Sequence, residues 1–391
     1  MIASNPVQLI VIGVGLIGPR HAQHILQNVD CELLALIDPS PKAVELAGEL
    51  NTLCFKSIDK LFEYLEANLM PYPDGAIICT PNHTHAVIAA SLASKGVNLL
   101  IEKPVSTSLE EAKALQQFVK EQKVKVLIGH HRRFNPFIMA AKENLHHVGE
   151  IVAIQGTWAL QKPKSYFEIS PWRTDVRTGG GALLINLIHD IDLLQYLFGP
   201  VERVYAELLK KQRKEYPNAD EGACMTLRFK NGITGTFICA DNVTSPFNFE
   251  VGTGENPLIP FDHQLEGFYK VFGSKGTLSI PDFTLYHQNN LDITERSWHS
   301  SVERRRLLND TRETRKTKPF DTQLNHFIDV IRGKAQPACT ISDGIRALLC
   351  VDAVLKSIES DLPQKVDDVE AIAPDYDAIG VNLPKGYAST T

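Results

Sequence analysis

The first third of the chain alternates short apolar, β-branched runs with amphipathic stretches. Leu9–Gly13 is followed by a helical pattern from about Gly18, Leu33–Ile37 by one from about Pro41, and Gly75–Cys79 by one from about Asn82. Asn98–Ile101 then leads to a helix over Leu109–Glu121, opened by the capping pattern Ser108-x-x-Glu111, and to a further strand, Lys125–Ile128. Strands that alternate with helices make a parallel sheet with crossover connections, so residues 1–133 are expected to form one doubly wound α/β domain. The texture changes after Arg133. Ile151–Leu160, Val201–Leu209, Ala223–Phe229 and Gly232–Cys239 are strand-like runs separated by turns, which predicts a large, mostly antiparallel open sheet in a second α/β domain, residues 134–391. Helices are expected over Ala182–Phe198 and Ser342–Glu359.

Composition narrows the partners. The chain has 391 residues, 43% apolar and 22% charged, enough for two ordinary domains. A formal net charge of -6 gives no general field toward phosphate backbones or anionic lipid, so neither nucleic acid nor membrane is expected as a partner. Against this background Glu303–Lys318 is strongly basic, with Arg304, Arg305, Arg306, Arg312, Arg315, Lys316 and Lys318. Without interleaved aromatics it reads as a solvated insertion on a sheet edge. The seven cysteines, at 31, 54, 79, 224, 239, 339 and 350, show neither a C-x-x-C pair nor a short zinc-ligand spacing, so buried free thiols and no metal site are expected. Met1–Gln8 has no charged n-region, and no apolar stretch reads as long enough to span a bilayer. The expected compartment is the cytoplasm.

The chemistry begins at Gly13-Val14-Gly15-Leu16-Ile17-Gly18, directly after the first strand and at the opening of the first helix. Glycines at these spacings give a tight turn, close approach of a pyrophosphate, and close helix–strand packing, with the helix N-terminus facing the phosphates. Asp38 ends the next strand, where a carboxylate accepts both ribose hydroxyls and repels a 2′-phosphate. NAD is therefore preferred, with NADP left open by a nearby cation such as Lys42. Thr80-Pro81-Asn82-His83-Thr84-His85 lies at the carboxyl edge of a later strand, where ligands bind in open α/β sheets, and its backbone is expected to run along the cofactor. His83 and His85 each fit a contact or a capping and core role equally well. Asn98–Ile101 runs into Glu102-Lys103-Pro104 at the same edge. Taking a hydroxyl proton near neutrality requires that a lysine's pKa be brought down by about 3, or about 4 kcal/mol of environment, which burial and a cationic nicotinamide ring supply. A cis bond at Pro104 would aim that lysine inward.

These motifs, together with Trp172-Arg173, Gly179-Gly180-Gly181 and His189, resemble the Gfo/Idh/MocA family of oxidoreductases, in order and over nearly the whole chain. The resemblance implies NAD(P)-linked oxidation or reduction at a carbinol carbon of a sugar, cyclitol or related polyhydroxylated compound. It also implies that Lys103 assists proton transfer at the substrate oxygen and contacts the nicotinamide ribose, with Glu102 beside it. The sequence departs from the family in one place: the aspartate four residues before the histidine is Ile185 here, with Asn186 next to it. Ala182, Asn186, His189 and Leu193 share one helical face, which would let His189 meet Lys103 across a cleft. Asn186 orients a hydroxyl but is no base at neutral pH, so the proton rests with Lys103 or His189. Asp190 and Asp192 are expected to cap neighbours or to lie on another face.

Arg133, at the join of the domains, is expected to bind substrate or to form an ion pair, Trp172 to wall the substrate ring, and Arg173 to hold a hydroxyl or carboxylate. Tyr166, His263 and His326 read as structural. A catalytically silent NAD-binding regulator, or an enzyme passing hydride internally with retained cofactor, are the alternatives. An open sheet without helices on one face predicts a homodimer or homotetramer.

Overall fold

The computed structural model describes residues 5–288, 291–292, 294–308 and 318–381. Contacts divide the chain into two units. The first comprises Met1–His131, Phe320–Ile345 and Asp368–Thr391, and the second Arg132–Pro319 and Arg346–Asp367.

In the first unit β1 (Val7–Ile12), β2 (Cys31–Ile37), β3 (Leu53–Phe55), β4 (Gly75–Ile78), β5 (Asn98–Ile101) and β6 (Val126–Ile128) form a parallel sheet in the order β3-β2-β1-β4-β5-β6. Leu9, Ile10, Val11, Ile77, Ile78, Leu99, Leu100 and Ile101 are wholly buried, as unbroken apolar runs are in a parallel sheet covered on both faces. Helices Gly18–Leu26, Pro41–Leu50, Ile58–Ala67, His85–Ala93 and Leu109–Glu121 make the crossovers. Ser57 and Ser108 cap two of them by accepting from the N–H of Lys60 and Glu111. The strand order reverses between β1 and β4, which opens a crevice at the carboxyl ends of the strands. The later segment joins this unit through helix Pro319–Ile331, where Phe320 lies under the Arg20 guanidinium at 4.3 Å and stacks on His131 at 4.7 Å.

The second unit holds β7 (Ile151–Ala159), β8 (Val201–Leu208), β9 (Gly222–Phe229), β10 (Thr234–Ala240), β11 (Tyr269–Gly273), β12 (Gly276–Ile280), β13 (Thr284–His287), β14 (Glu303–Arg306) and β15 (Gln364–Lys365). The nine strands run β14-β13-β12-β11-β7-β10-β9-β8-β15, antiparallel except for β7 beside β10. On β9 Ala223, Met225, Leu227 and Phe229 are buried, while Cys224, Thr226 and Arg228 between them are exposed. Cys224 thus departs from the expectation of buried thiols. Where cysteines are enclosed, burial works against the thiolate and pushes Cys31 and Cys350 up to about 12. Arg304, Arg305 and Arg306 lie exposed on the edge strand β14, whereas Arg312, Arg315 and Lys316 lie outside the described residues.

Residues 176–198 have the length and hydropathy of a bilayer-crossing segment, contrary to the sequence reading, but they are mostly buried and change geometry along their length. A 3-10 turn at Val176–Thr178 precedes a π turn at Leu183–Leu187 and an α-helix at Ile188–Phe198. The π turn shifts the helical register by roughly one residue, so Ala182, Asn186, His189 and Leu193 do not keep the single α-helical face expected of them.

Candidate functional site

The turn out of β1 shows why each glycine is where it is. Gly13 has φ +89°, and a Cβ there would stand 2.7 Å from the carbonyl oxygen of Cys79. A Cβ on Gly18 would stand 1.9 Å from the carbonyl oxygen of Gly13. Gly15 relieves no clash, because nothing lies within 4 Å of its Cβ position, and it leaves open space in front of the helix N-terminus. The N–H groups of Val14 and Ser40 donate to the two oxygens of Asp38, each at 2.8 Å, and so pin the carboxylate at the end of β2. Burial alone would raise the Asp38 pKa, but these bonds and the one to the Ser40 side chain outweigh it and hold the carboxyl below its usual range.

A cavity of about 760 Å³ brings together Gly13, Gly15, Asp38, Thr80 and Pro81. An open glycine, a helix N-terminus and a fixed strand-end carboxylate fit a dinucleotide. Leu16, Ile17 and Gly18 form the turn into the helix and Asn82 a 3-10 turn beside it, outside the cavity lining. The cation that lines the cavity is Lys56, after β3, and not Lys42.

His85 is buried, with Nδ1 2.7 Å from the carbonyl oxygen of Pro104 and Nε2 2.8 Å from that of Thr80. With a carbonyl oxygen beside each ring nitrogen, His85 lies between the loops after β4 and β5, which favours the core role over the cofactor contact that the sequence left equally open. Burial lowers its pKa below the ordinary histidine value despite the two carbonyls. After β5, Glu102 is buried against Nε2 of His21 at 2.9 Å, Lys103 is half-buried, and the Lys103–Pro104 bond is cis. Burial works to raise the Glu102 pKa, but the His21 hydrogen bond and the charges of His21, His131 and Lys103 leave it lowered.

In the second unit Trp172 is 45% exposed, and the Arg173 guanidinium lies 3.9 Å from the Tyr166 ring centre while donating to the Tyr166 carbonyl at 2.8 Å. Gly180 is required here, since a Cβ would stand 2.6 Å from the carbonyl oxygens of both Trp172 and Arg173. Asn186 lies on the π turn and His189, buried, in the first α-helical turn. The Asn186 Oδ1 accepts from Lys162 Nζ at 2.6 Å, a buried lysine that no motif marked.

Arg133 is spent inside the fold: Nε and Nη2 donate to the two oxygens of Asp192 at 2.9 and 2.6 Å. This bidentate pair corrects the expectation that Arg133 binds substrate. Asp190 and Asp192 are likewise not peripheral caps. Asp190 accepts from the Tyr269 hydroxyl and lies 3.5 Å from Arg132, whose other partners are Glu250 at 2.5 Å and Glu255 at 3.4 Å.

A doubly wound unit with a dinucleotide cleft, followed by a mostly antiparallel unit, defines a class of oxidoreductase. Residues 7–130 match the model of an oxidoreductase family's NAD-binding Rossmann fold, and residues 142–366 match that of the same family's C-terminal alpha/beta domain. The chain belongs to this family, Gfo/Idh/MocA. It is 25% identical over 360 residues to inositol 2-dehydrogenase of Rhizobium meliloti, covering 89% of this chain and 96% of that one. It is 27% identical over 369 residues to scyllo-inositol 2-dehydrogenase (NAD(+)) of Bacillus subtilis, covering 93% and 97%. Its fold is that of scyllo-inositol dehydrogenase from Lactobacillus casei, solved with NAD(H) and scyllo-inositol, with a TM-score of 0.71 at 18% identity over 93% of this chain and 99% of that one.

Proposed function

We propose that the protein is an NAD-linked dehydrogenase acting on a carbinol carbon of a cyclitol, sugar or related polyhydroxylated ring. The observation that carries this reading is the placement of Lys103 after β5, on the strand-end edge that also carries Gly13–Gly18, Asp38 and Thr80. Gly15, Leu16, Ile17 and Gly18 hold the pyrophosphate with backbone N–H groups, Gly13, whose own N–H donates to the Ile37 carbonyl, makes the turn that lets it approach, and Asp38 accepts the ribose hydroxyls. Thr80, Pro81 and Asn82 lie along the cofactor, and Glu102 and Lys103 stand at its nicotinamide end. When bound there, the nicotinamide ring supplies the hydride acceptor. Lys103 takes the substrate's hydroxyl proton, with His189 as the second candidate for that task. Trp172, Arg173 and Asn186 bind the substrate, and the names of the inositol dehydrogenases among the relatives favour a cyclitol.

The test is NADH formation by the purified protein with myo-inositol, scyllo-inositol, aldoses and ring hydroxy acids. Turnover confined to one class supports the reading and names the substrate class. Tight NAD binding with no turnover in either direction transfers the protein to the silent regulators or to enzymes that retain their cofactor.

Asp38→Ser removes the carboxylate that repels a 2′-phosphate and leaves Lys56 in the same cavity. The ratio of kcat/KM for NADP to that for NAD is expected to rise about a hundredfold. An unchanged ratio would show that Asp38 does not select the cofactor. The exposed face of the large sheet carries Ile238 and Phe272, which are 41% and 37% exposed. A second copy of the chain covers this face in our reading, giving a homodimer or homotetramer by sedimentation.

A further inference from the structure

Lys162 follows β7 and is buried in the second unit. Its ammonium lies 2.6 Å from Asn186 Oδ1, 3.2 Å from the Asp241 carboxylate and 4.6 Å from the Tyr166 ring centre. Its backbone N–H also donates to the Asp241 carbonyl at 3.1 Å, and Asp241 pairs in turn with Arg213, so the lysine is held at both ends. An ammonium only donates. The Asn186 amide must therefore turn its oxygen toward Lys162, and the usual ambiguity between amide oxygen and nitrogen is removed. The amide nitrogen, with two donors, has no partner among the described residues. Leu183, Leu184, Ile185 and Leu187 make up the rest of the π turn, so Asn186 is its one polar side chain.

We propose that Lys162 is a specificity-determining positioning residue: it locks Asn186 as a hydrogen-bond donor, so that this part of the substrate site reads an acceptor oxygen. A ring ketone, a carboxylate or a hydroxyl lone pair satisfies such a donor, whereas a ring ammonium, itself a pure donor, is rejected. An aspartate on this turn would do the reverse and accept from a hydroxyl. The inference rests on the reading that Asn186 faces substrate.

The 2-keto and 2-amino derivatives of myo-inositol, titrated calorimetrically into the NADH-saturated protein, test it. The wild type is expected to bind the ketone at least about tenfold more tightly than the amine, because a donor facing a donor leaves buried polar groups unpaired. Lys162→Met, which frees the amide to rotate, and Asn186→Ala, which leaves the Lys162–Asp241 pair intact, should both bring that ratio to within about threefold. Lys162→Arg, still a pure donor, should preserve it. Equal ratios in all four proteins, or a wild type that prefers the amine, would overturn the proposal. If neither compound binds the wild type, the cyclitol reading fails instead, and the side-chain ¹⁵N amide signal of Asn186, assigned by its loss in Asn186→Ala, decides the role of Lys162 alone. A shift of that signal in Lys162→Met but not in Lys162→Arg supports the lock, and no shift in either overturns it.

Discussion

Lys103→Ala is expected to lower kcat by about a thousandfold while NAD affinity changes by less than about tenfold, the size of effect that a positioned proton acceptor supplies. The surroundings of Lys103 make a selective effect possible. Glu102 is fixed from behind by His21, and His85 ties the Pro104 carbonyl to the loop after β4. Lys103 does not line the cavity that holds Gly13, Gly15 and Asp38, so its truncation is expected to leave that cavity intact. Steady-state NADH formation and direct NAD titration of the variant measure the two halves of the prediction separately. The pH profile adds a third reading. A proton acceptor that titrates produces a falling acid limb in kcat, and that limb should vanish in Lys103→Ala. Should the variant keep turnover within about tenfold of wild type, the proton belongs to His189, and His189→Ala should then carry the larger loss.

How far the sequence alone reaches depends on how locally each feature is determined. The Gly13–Gly18 turn, the strand ahead of it and Asp38 occupy about thirty consecutive residues, and each is imposed by the geometry of one βαβ unit. The steric reasons for glycine at 13 and 18 are contacts within that unit and with the adjacent β4 edge. Lys103 is legible for the same reason, as the residue one step beyond a strand end. β3 has only three residues and leaves no periodic pattern, so nothing in the sequence points to Lys56 beyond it, and Lys42 is the nearby cation that the pattern offers. β11 to β14 are runs of four or five residues, too short to stand out from loop. The return of residues 320–345 to the first unit depends on Phe320 meeting Arg20 and His131, nearly two hundred residues or more away in sequence.

The candidate site in the second unit is less legible, because its side chains are defined by their partners. Arg132 and Arg133 are neighbours in a basic run that suggests an anion site, yet each is paired within the fold, one with Glu250 and Glu255 and the other with Asp192. Lys162 has no motif around it, and only the fold brings it to Asn186. The π turn is equally invisible, since a helix with one wider turn has the same residue preferences as one without it. Asn186 is named from its place in a pattern, but whether it donates or accepts is decided by a lysine 24 residues earlier.

Asp190 carries the second large effect, and it concerns stability. Burial raises its carboxyl to about 7. The Arg132 charge and the Tyr269 hydrogen bond pull the other way, while the charges of Glu250 and Glu255 add to the rise. In the unfolded chain the same carboxyl titrates near 3.8. Between these values the folded protein binds the proton and the unfolded chain does not, so folding is favoured at low pH and stability declines as pH rises from about 4 to about 7. The full span corresponds to about 4 kcal/mol, with a limiting slope of about 1.4 kcal/mol per pH unit. Asp190→Asn cannot ionise and should lack this slope. Urea denaturation of both proteins at intervals between pH 5 and 8 isolates it, because the other titrating groups are common to the pair. The stability of the wild type relative to Asp190→Asn should fall steadily up to about pH 7 and then level off. A difference that stays flat over this range would mean that Arg132, with Tyr269, keeps Asp190 ionised in the fold.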